Sequence, residues 1–423
     1  MLQSKAADAV GKIYFTALAF LMYFFINEVA YIGGIGVTFR HIFALLIIAS
    51  AFVYFLIRSD VGRALVSVKS ALVFATPLLV VVVASMLVWV VDQSGTATIA
   101  RGISGCLVYT NWLSCALAAG ALLYVFGEAG IWYNLLALVG ANLLMIIQII
   151  REDGLVVFFQ EFFELVASFA ANTGEVIIKA EIHELAFCLG AYLIYMLIRP
   201  KRAAWFWMLF ALAAFCFLVA FKRIAMIAMM GVTVIWLILW IAKKVSQRAV
   251  CRTANTIMLI LVALFFLYIA AIKADLFTVL EKAGIDTSGR AFVYEQVDRY
   301  YEFSPDFLGN GIGFLTYQLN ETVSVGVSAV HNDLLQFFID LGFWGYLFWL
   351  LSMTVLRTAY FGRGGDGDSA MVAALLSLYL FIVSSTDNTI NYPLLNTVLG
   401  VIIIGNHYTE RVAQASVHFR RIQ

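Results

Sequence analysis

Long apolar runs alternate with short polar segments along most of this chain. A helix that crosses a bilayer needs about 20 mainly apolar residues, and runs of roughly that length recur along the sequence. The predicted spans are 13–29, 38–57, 70–91, 104–126, 131–150, 184–198, 203–221, 224–242, 254–273, 333–356, 370–386 and 392–406. Only Lys222 and Arg223 interrupt the run 203–242, so we interpret it as two spans with a tight break. The pattern predicts an all-α, polytopic membrane protein of about 12 transmembrane helices.

The composition agrees with this interpretation and excludes other classes of protein. Of 423 residues, 63% are apolar and 13% are charged, whereas a soluble domain carries about 25% charged residues. The net charge is +1 and no basic face is visible, which excludes a nucleic-acid partner. The five cysteines form no C-x-x-C pair, and we interpret them as small buried hydrophobic residues. They are Cys106, Cys115, Cys188, Cys216 and Cys251.

Lysine and arginine positions predict the orientation in the membrane. If the N-terminus is cytoplasmic, 17 of the 27 basic residues fall in cytoplasmic segments, although both long loops lie on the opposite side. Twelve spans return the C-terminus to the cytoplasm. We therefore predict that both termini lie in the cytoplasm and that residues 1–423 form one integral membrane domain.

Two long loops are predicted on the extracytoplasmic side, at residues 151–183 and 274–332. The first carries Glu161, Glu164 and Ser168 at helical spacing among phenylalanines, which predicts an amphipathic element in the membrane interface. The second mixes charged residues, aromatic residues and glycines, and loops of this length are usually functional. We expect the second loop to carry the site.

The loop 274–332 contains one predicted helix. The Asp-Thr-Ser segment 286–288 offers N-caps, and residues 289–302 follow as a helix that ends before a Ser-Pro pair. Arg290 and Arg299 lie about 180° apart on a straight helix, so we expect only one of them to face a central site.

A glycine-rich run and a histidine follow. The glycines of 309–313 predict a plain loop rather than a phosphate cradle, because no Walker lysine follows them. His331 stands at the entry to the next span. A lone histidine there is more often a structural hydrogen-bonding group than a catalytic one, and no ligand set at zinc-enzyme spacing accompanies it. No metal site is predicted.

The segment that His331 opens resembles the signature of the O-antigen ligase and O-antigen polymerase superfamily, H-N-x-x-L followed by an acidic residue and G-x-x-G. The residues at matching offsets are His331, Asn332, Leu335, Asp340, Gly342 and Gly345. Upstream, the match continues through Gly289-Arg290, Pro305, the glycine run, and an arginine at the outer start of an earlier span, Arg223. Asp340 stands where the family more often has glutamate, and Lys222 stands where a small residue is usual.

The resemblance implies a GT-C-like fold, location in the bacterial cytoplasmic (inner) membrane, and glycosyl transfer at the extracytoplasmic face of that membrane. The donor is expected to be a glycan on undecaprenyl pyrophosphate and the second substrate a glycan acceptor, with no nucleotide sugar, cofactor or metal. Arg223 and Arg290 are expected to bind the diphosphate, with Lys222 and Arg299 as weaker candidates, because guanidinium groups bind phosphate oxygens bidentately. His331 is the expected general base, and Asn332 and Asp340 are supporting residues. Direct attack by the acceptor would invert the anomeric centre.

The motifs leave the acceptor open. A polymerase extends a lipid-linked repeat unit of a surface polysaccharide, whereas a ligase transfers the glycan to the lipid A core. We favour a polymerase because the chain is 15% aromatic and has two sizeable outer loops that could hold sugar. For a polymerase, a chain-length regulator is an expected partner. A flippase or transporter of lipid-linked oligosaccharide is the alternative from another class, although no internal repeat supports it.

Overall fold

The structure is a computed structural model of the full chain. It describes residues 2–32, 35–91, 99–171, 183–201, 203–220, 222–285, 287, 289–322, 330–363, 366–406, 408 and 411–413. The described chain divides into two compact units. The first comprises residues 1–74, 111–233 and 392–423, and the second comprises 75–110 and 234–391.

The elements of the first unit are mainly helices of apolar composition. They are α1 (Leu2–Phe24), β1 (Val29–Ile32), β2 (Ile35–Thr38), α2 (Phe39–Arg58), α3 (Val61–Phe74), most of α5 (Ile99–Phe126), α6 (Ala129–Asp153), α7 (Leu155–Ala171), α8 (His183–Ile198), α9 (Ala204–Ala220), the start of α10 (Arg223–Val245) and α18 (Pro393–Gly405). Within this unit α1 packs on α2 and α6, and α8 packs on α9 and α18. The core of the unit lies between these helices.

The second unit contains the remaining helices and the long loop. They are α4 (Thr76–Val91), the rest of α10, α11 (Gln247–Lys273), α12 (Leu276–Lys282), α13 (Arg290–Val297), a 3₁₀ turn (Asp298–Tyr300), α14 (Phe314–Thr322), α15 (Asp333–Leu351), a π-helical stretch (Ser352–Leu356), α16 (Arg357–Phe361), α17 (Gly367–Ser384) and a 3₁₀ turn (Thr389–Asn391). Here α11 packs on α15 and α17, and α15 packs on α4. This packing buries most of α17, which lies at the centre of the unit.

The prediction of an α-helical, polytopic membrane protein is confirmed. In the described residues, six helices are long and apolar enough to cross a bilayer, or seven if α3 and α4 form one bent span. Five shorter apolar helices accompany them, at Ala9–Phe24, Thr110–Phe126, Glu184–Ile198, Ala204–Ala220 and Pro393–Gly405. Every predicted span overlaps one of these helices, and the count of about 12 stays a prediction.

Two predicted spans differ from the structure. The first helix ends at Phe24 instead of continuing to residue 29, and β1 and β2 form an antiparallel hairpin with Val29 opposite Thr38. The hairpin was not predicted because its strands are only four residues long. The predicted span 70–91 is broken between α3 and α4 at Ala75, because Pro77 lacks an amide hydrogen and suits the first turn of a new helix.

The predicted break inside the run 203–242 is present. Helix α9 ends at Ala220 and α10 begins at Arg223, which leaves Lys222 between them. In the loop 151–183, α7 is a helix as predicted, with Phe158 buried and Phe163 exposed, while residues 172–182 lie outside the described residues.

Candidate active site

Asn332 is a buried polar residue of the second unit whose side chain makes three hydrogen bonds. It is the N-cap of α15, where its side-chain Oδ1 accepts a hydrogen bond from the Leu335 amide at 3.1 Å. Its Nδ2 donates to the hydroxyl of Tyr268 at 3.1 Å and to that of Tyr294 at 3.0 Å. Asn332 is fully buried, so these contacts satisfy an amide that would otherwise be costly to desolvate. The side chain therefore links α15 to α11 and α13.

His331 precedes this cap in an unusual backbone conformation. Its φ is +51°, in the left-handed region that non-glycine residues seldom adopt. The flanking Val330 and Asn332 are buried, whereas His331 itself is exposed. Non-glycine residues in this region persist where the surroundings fix them, and they cluster at functional sites. The imidazole is therefore presented to the surface at the start of α15.

Arg290 is held against two backbone carbonyl groups. Its Nη1 donates to the Thr287 carbonyl at 3.1 Å and its Nη2 donates to the Thr386 carbonyl at 3.0 Å. Its Nε is buried and has no hydrogen-bond partner among the described residues. The two carbonyl groups fix the plane of the guanidinium. Its other N–H groups remain able to donate hydrogen bonds to an anion.

Tyr294 lies on the same face of α13 as Arg290, because residues four apart on a helix are neighbours. Burial raises the pKa of the Tyr294 hydroxyl, and the hydrogen bond from Asn332 and the charge of Arg290 oppose that rise. The hydroxyl consequently stays neutral at physiological pH. The ring of Tyr294 packs edge-to-face on Phe277 at 4.7 Å between centroids, which fixes α13 against α12. One helix face thus carries Arg290 and the link to Asn332.

The helix that carries Arg290 is shorter than predicted. It spans Arg290–Val297 and is followed by a 3₁₀ turn, whereas the sequence predicted a helix over 289–302. Of the predicted caps, the Thr287 hydroxyl accepts a hydrogen bond from the Ala291 amide at 3.3 Å, and residues 286 and 288 lie outside the described residues. Lys273 fixes the end of this helix by donating to the Asp298 and Tyr301 carbonyl groups at 2.9 and 3.0 Å.

Asp340 supports the loop rather than the site directly. Its carboxylate accepts hydrogen bonds from the Gly313 amide at 3.2 Å and the Leu315 amide at 3.3 Å, at the start of α14. Its own carbonyl accepts one from the Gly311 amide at 2.7 Å. The amides of Asn310, Gly311 and Gly313 are therefore engaged by α15. This agrees with a structural loop rather than a phosphate cradle.

The connection after α17 was missed by the sequence reasoning. The Ser385 carbonyl accepts a hydrogen bond from Tyr268 at 3.0 Å, and the Thr386 carbonyl accepts the one from Arg290. The buried carboxylate of Asp333 accepts from the Ile390 amide at 2.6 Å. A dense polar run between two apolar spans, residues 384–391, was the available signal.

The other predicted basic residues have different surroundings. Arg299 is exposed, with its guanidinium 4.8 Å from the Tyr300 ring centroid and its Nη2 donating to the Tyr300 hydroxyl at 2.7 Å. Lys222 and Arg223 belong to the first unit, where Arg223 is exposed and Lys222 half-buried, and both have interaction partners. The second unit thus gathers Arg290, His331 and Asn332, and does not include Arg299 in that cluster.

An apolar groove lies in the same unit. It has a volume of about 550 Å³ and runs between α4 and α15. Leu308 and Leu341 line it, and they precede two glycines, Gly309 (φ +90°) and Gly342 (φ +70°), whose backbones touch. Along α4 the lining extends from Leu79 to Val91, about 18 Å of helix.

The apolar helices define a multi-pass α-helical membrane protein, and a polar hydrogen-bonded cluster lies at the start of α15. Residues 208–350 match the family model described as O-Antigen ligase. This segment contains Arg223, Arg290, His331 and Asp340, and the match confirms the resemblance to the O-antigen ligase and polymerase superfamily. The matched residues make up about a third of the chain, and they are similar to a family that acts in surface polysaccharide assembly. No curated protein gives a significant match to the chain.

Proposed function

We propose that the protein transfers a glycan from undecaprenyl pyrophosphate to a glycan acceptor at the outer face of the bacterial cytoplasmic membrane, without a metal or cofactor. The observation that carries the proposal is the hydrogen-bonded cluster of the second unit. There Asn332, next to His331, bonds to Tyr294, which shares a helix face with Arg290. A general base and a diphosphate-binding guanidinium are the two groups that such a transfer requires.

In this mechanism, His331 removes the proton from an acceptor hydroxyl as its oxygen attacks the anomeric carbon of the donor. The bond between that carbon and the phosphate oxygen breaks, and the electron pair leaves with the diphosphate. Arg290 stabilises the developing negative charge with its remaining N–H groups. By analogy with the loss of one oxyanion donor, such a contact supplies about 2–4 kcal/mol of transition-state stabilisation. Direct displacement inverts the anomeric centre.

Arg223 is proposed as a second diphosphate ligand. It is exposed at the first residue of α10 and stands at the outer end of its predicted span. Lys222 is half-buried beside it and remains a weaker candidate, because an ammonium binds phosphate as a point charge rather than bidentately. Arg299 ranks below Arg290, since its guanidinium is engaged by Tyr300 and exposed to solvent.

The apolar groove between α4 and α15 supports a donor with a long lipid chain. A polyprenyl chain must remain in an apolar medium while its diphosphate lies at the membrane surface. The groove is lined by apolar side chains over about 18 Å of α4. It reaches α15 at Leu341, about 12 Å along the helix from Asp333. We propose that the first isoprene units of the donor lie in this groove.

We propose about 12 spans with both termini in the cytoplasm, and polymerisation as the reaction in preference to ligation. The support for polymerisation is the pair of long outer loops, which could hold glycan on both sides of the site. A polymerase would also be expected to work with a chain-length regulator. We also propose that the fold is GT-C-like.

Surface glycan analysis in a deletion strain tests this proposal. The strain is complemented with wild type, His331→Ala, Arg223→Ala or Arg290→Ala at matched expression. Lipid A core capped with a single repeat, together with failure of His331→Ala to restore the ladder, identifies a polymerase. An uncapped core, with polymer accumulating on undecaprenyl pyrophosphate, identifies a ligase. Full restoration by all three variants contradicts the catalytic assignment and favours a flippase.

A further inference from the structure

The amide of Asn332 does more than an N-cap requires. A serine or aspartate caps a helix with one acceptor oxygen and brings no additional donors. Asparagine brings two N–H donors into a fully buried position, where each unpaired donor costs about 1–3 kcal/mol. Both are satisfied by tyrosine hydroxyls, which come from residues 64 and 38 positions away in the sequence. The bridge therefore has to be built from three separate elements.

The same bridge connects the two groups assigned to the chemistry. On one side, Asn332 directly follows His331, whose left-handed backbone lies between buried neighbours. On the other, Tyr294 lies one helical turn after Arg290. Tyr268 closes the arrangement by donating to the Ser385 carbonyl, next to the Thr386 carbonyl that holds Arg290. The two tyrosine contacts of Asn332 thus both lead towards Arg290.

We infer that Tyr268 and Tyr294 are positioning residues, which hold His331 and Arg290 in fixed relative positions through Asn332. The inference rests on the proposed function. Neither hydroxyl contacts the reacting atoms in this account. Each instead keeps the imidazole and the guanidinium at the separation that places the acceptor hydroxyl and the leaving diphosphate on opposite sides of the anomeric carbon. Small displacements of such groups cost up to about 100-fold in rate.

The test uses the full-length protein in proteoliposomes with an undecaprenyl-pyrophosphate-linked repeat unit as donor. Tyr268→Phe and Tyr294→Phe remove only the hydroxyls, and Tyr317→Phe, in α14 outside the bridge, is the matched control. We expect each bridge variant to lower kcat about 10-fold with KM for the donor within about twofold, since positioning acts on the transition state. The control should retain wild-type kcat, and all three should keep the wild-type melting temperature within a few degrees.

Asn332→Ser separates positioning from capping. Serine keeps an acceptor for the Leu335 amide and removes the two donors of the bridge. We expect kcat to fall about 100-fold, and adding either Tyr→Phe change to Asn332→Ser should have no further effect. Wild-type kcat in Asn332→Ser and in both tyrosine variants would overturn the inference and leave the proposed function standing. A kcat loss that only parallels a lower melting temperature would also overturn it, because the role would then be structural. Absence of transfer by the wild type would instead overturn the proposed function, and the inference with it.

Discussion

At the scale of single residues, Arg290 illustrates how a backbone can prepare a cation for an anion. Two carbonyl groups, of Thr287 and Thr386, accept hydrogen bonds from its two terminal nitrogens. These contacts orient the guanidinium. They do not neutralise its charge, whereas a carboxylate partner would. A guanidinium so fixed loses little side-chain entropy when it binds a diphosphate. The positive charge is therefore available to the proposed diphosphate.

Arg290→Lys tests this role while keeping the positive charge. A lysine cannot reach both carbonyl groups and offer a fork of donors, so we expect kcat to fall about 100-fold, with no loss of expression. Arg299→Lys is the matched control, because Arg299 is exposed and stacks on Tyr300. Its kcat should stay within about threefold of the wild-type value. The kcat of both variants is measured by turnover of a lipid-linked repeat unit. Equal losses of kcat would contradict the different roles proposed for Arg290 and Arg299.

Arg40, near the start of α2, has a structural role within the first unit. Its Nη1 lies 2.7 Å from Glu184 Oε2, and Glu184 Oε1 accepts a hydrogen bond from the Leu394 amide at 2.6 Å. This buried carboxylate joins α2, α8 and the start of α18. A basic residue near the start of an apolar helix can therefore have a purely structural role, so each basic candidate residue needs its own variant.

At the scale of elements, α15 contacts the long loop both at its N-terminus and at an interruption in the middle of the helix. Gly342 interrupts the helix with φ +70°, and its backbone touches that of Gly309. A Cβ on either glycine would collide with the other segment. Asp340, two residues earlier, accepts the two amides at the start of α14. The first glycine of the G-x-x-G segment thus allows the loop to cross the helix closely.

Asp340→Asn should destabilise this crossing. An amide has one acceptor oxygen in place of two, so one of the Gly313 and Leu315 N–H groups loses its partner and faces another donor. We expect the free energy of unfolding to fall by about 2 kcal/mol, seen as a lower melting temperature in detergent. Asp306→Asn, at an exposed loop position, is the matched control and should be neutral. A wild-type melting temperature for Asp340→Asn would contradict the capping role.

The elements also show what the sequence could and could not predict. Apolar periodicity located the spans because each needs about 20 apolar residues, whatever its neighbours. The motif located His331, Asn332 and Asp340 because they are close in sequence. The tyrosine partners of Asn332 were missed, since residues 64 and 38 positions away meet only through tertiary packing. Local features were therefore predictable, and the long-range contacts of the site were not.

At the scale of the whole molecule, the distribution of basic residues predicts which surface faces the cytoplasm. Asp306→Cys, in the long loop, should react with a membrane-impermeant maleimide in cells with a permeable outer envelope. Arg248→Cys, near the start of α11, should react only after the cytoplasmic membrane is opened. Both positions are exposed, and a background without the native cysteines is required. The reverse pattern of labelling would contradict the orientation.

The apolar groove makes a second prediction at this scale. Val83→Trp fills the groove between α4 and α15, and we expect it to raise KM for a long-chain polyprenyl donor about 10-fold. A donor with a short isoprenoid chain should be affected less. Val90→Trp is the matched control, because Val90 lies on α4, is 84% exposed and does not line the groove. Equal effects of the two substitutions would contradict a specific lipid site.

The most direct test of the central claim is transfer by the purified protein in proteoliposomes, with an undecaprenyl-pyrophosphate-linked repeat unit as the only glycan substrate. The account predicts longer lipid-linked glycans and released undecaprenyl pyrophosphate with wild type. With His331→Ala at the same melting temperature, it predicts a rate at least about 100-fold lower. Product formation by His331→Ala at the wild-type rate would contradict the assignment of His331 as the general base.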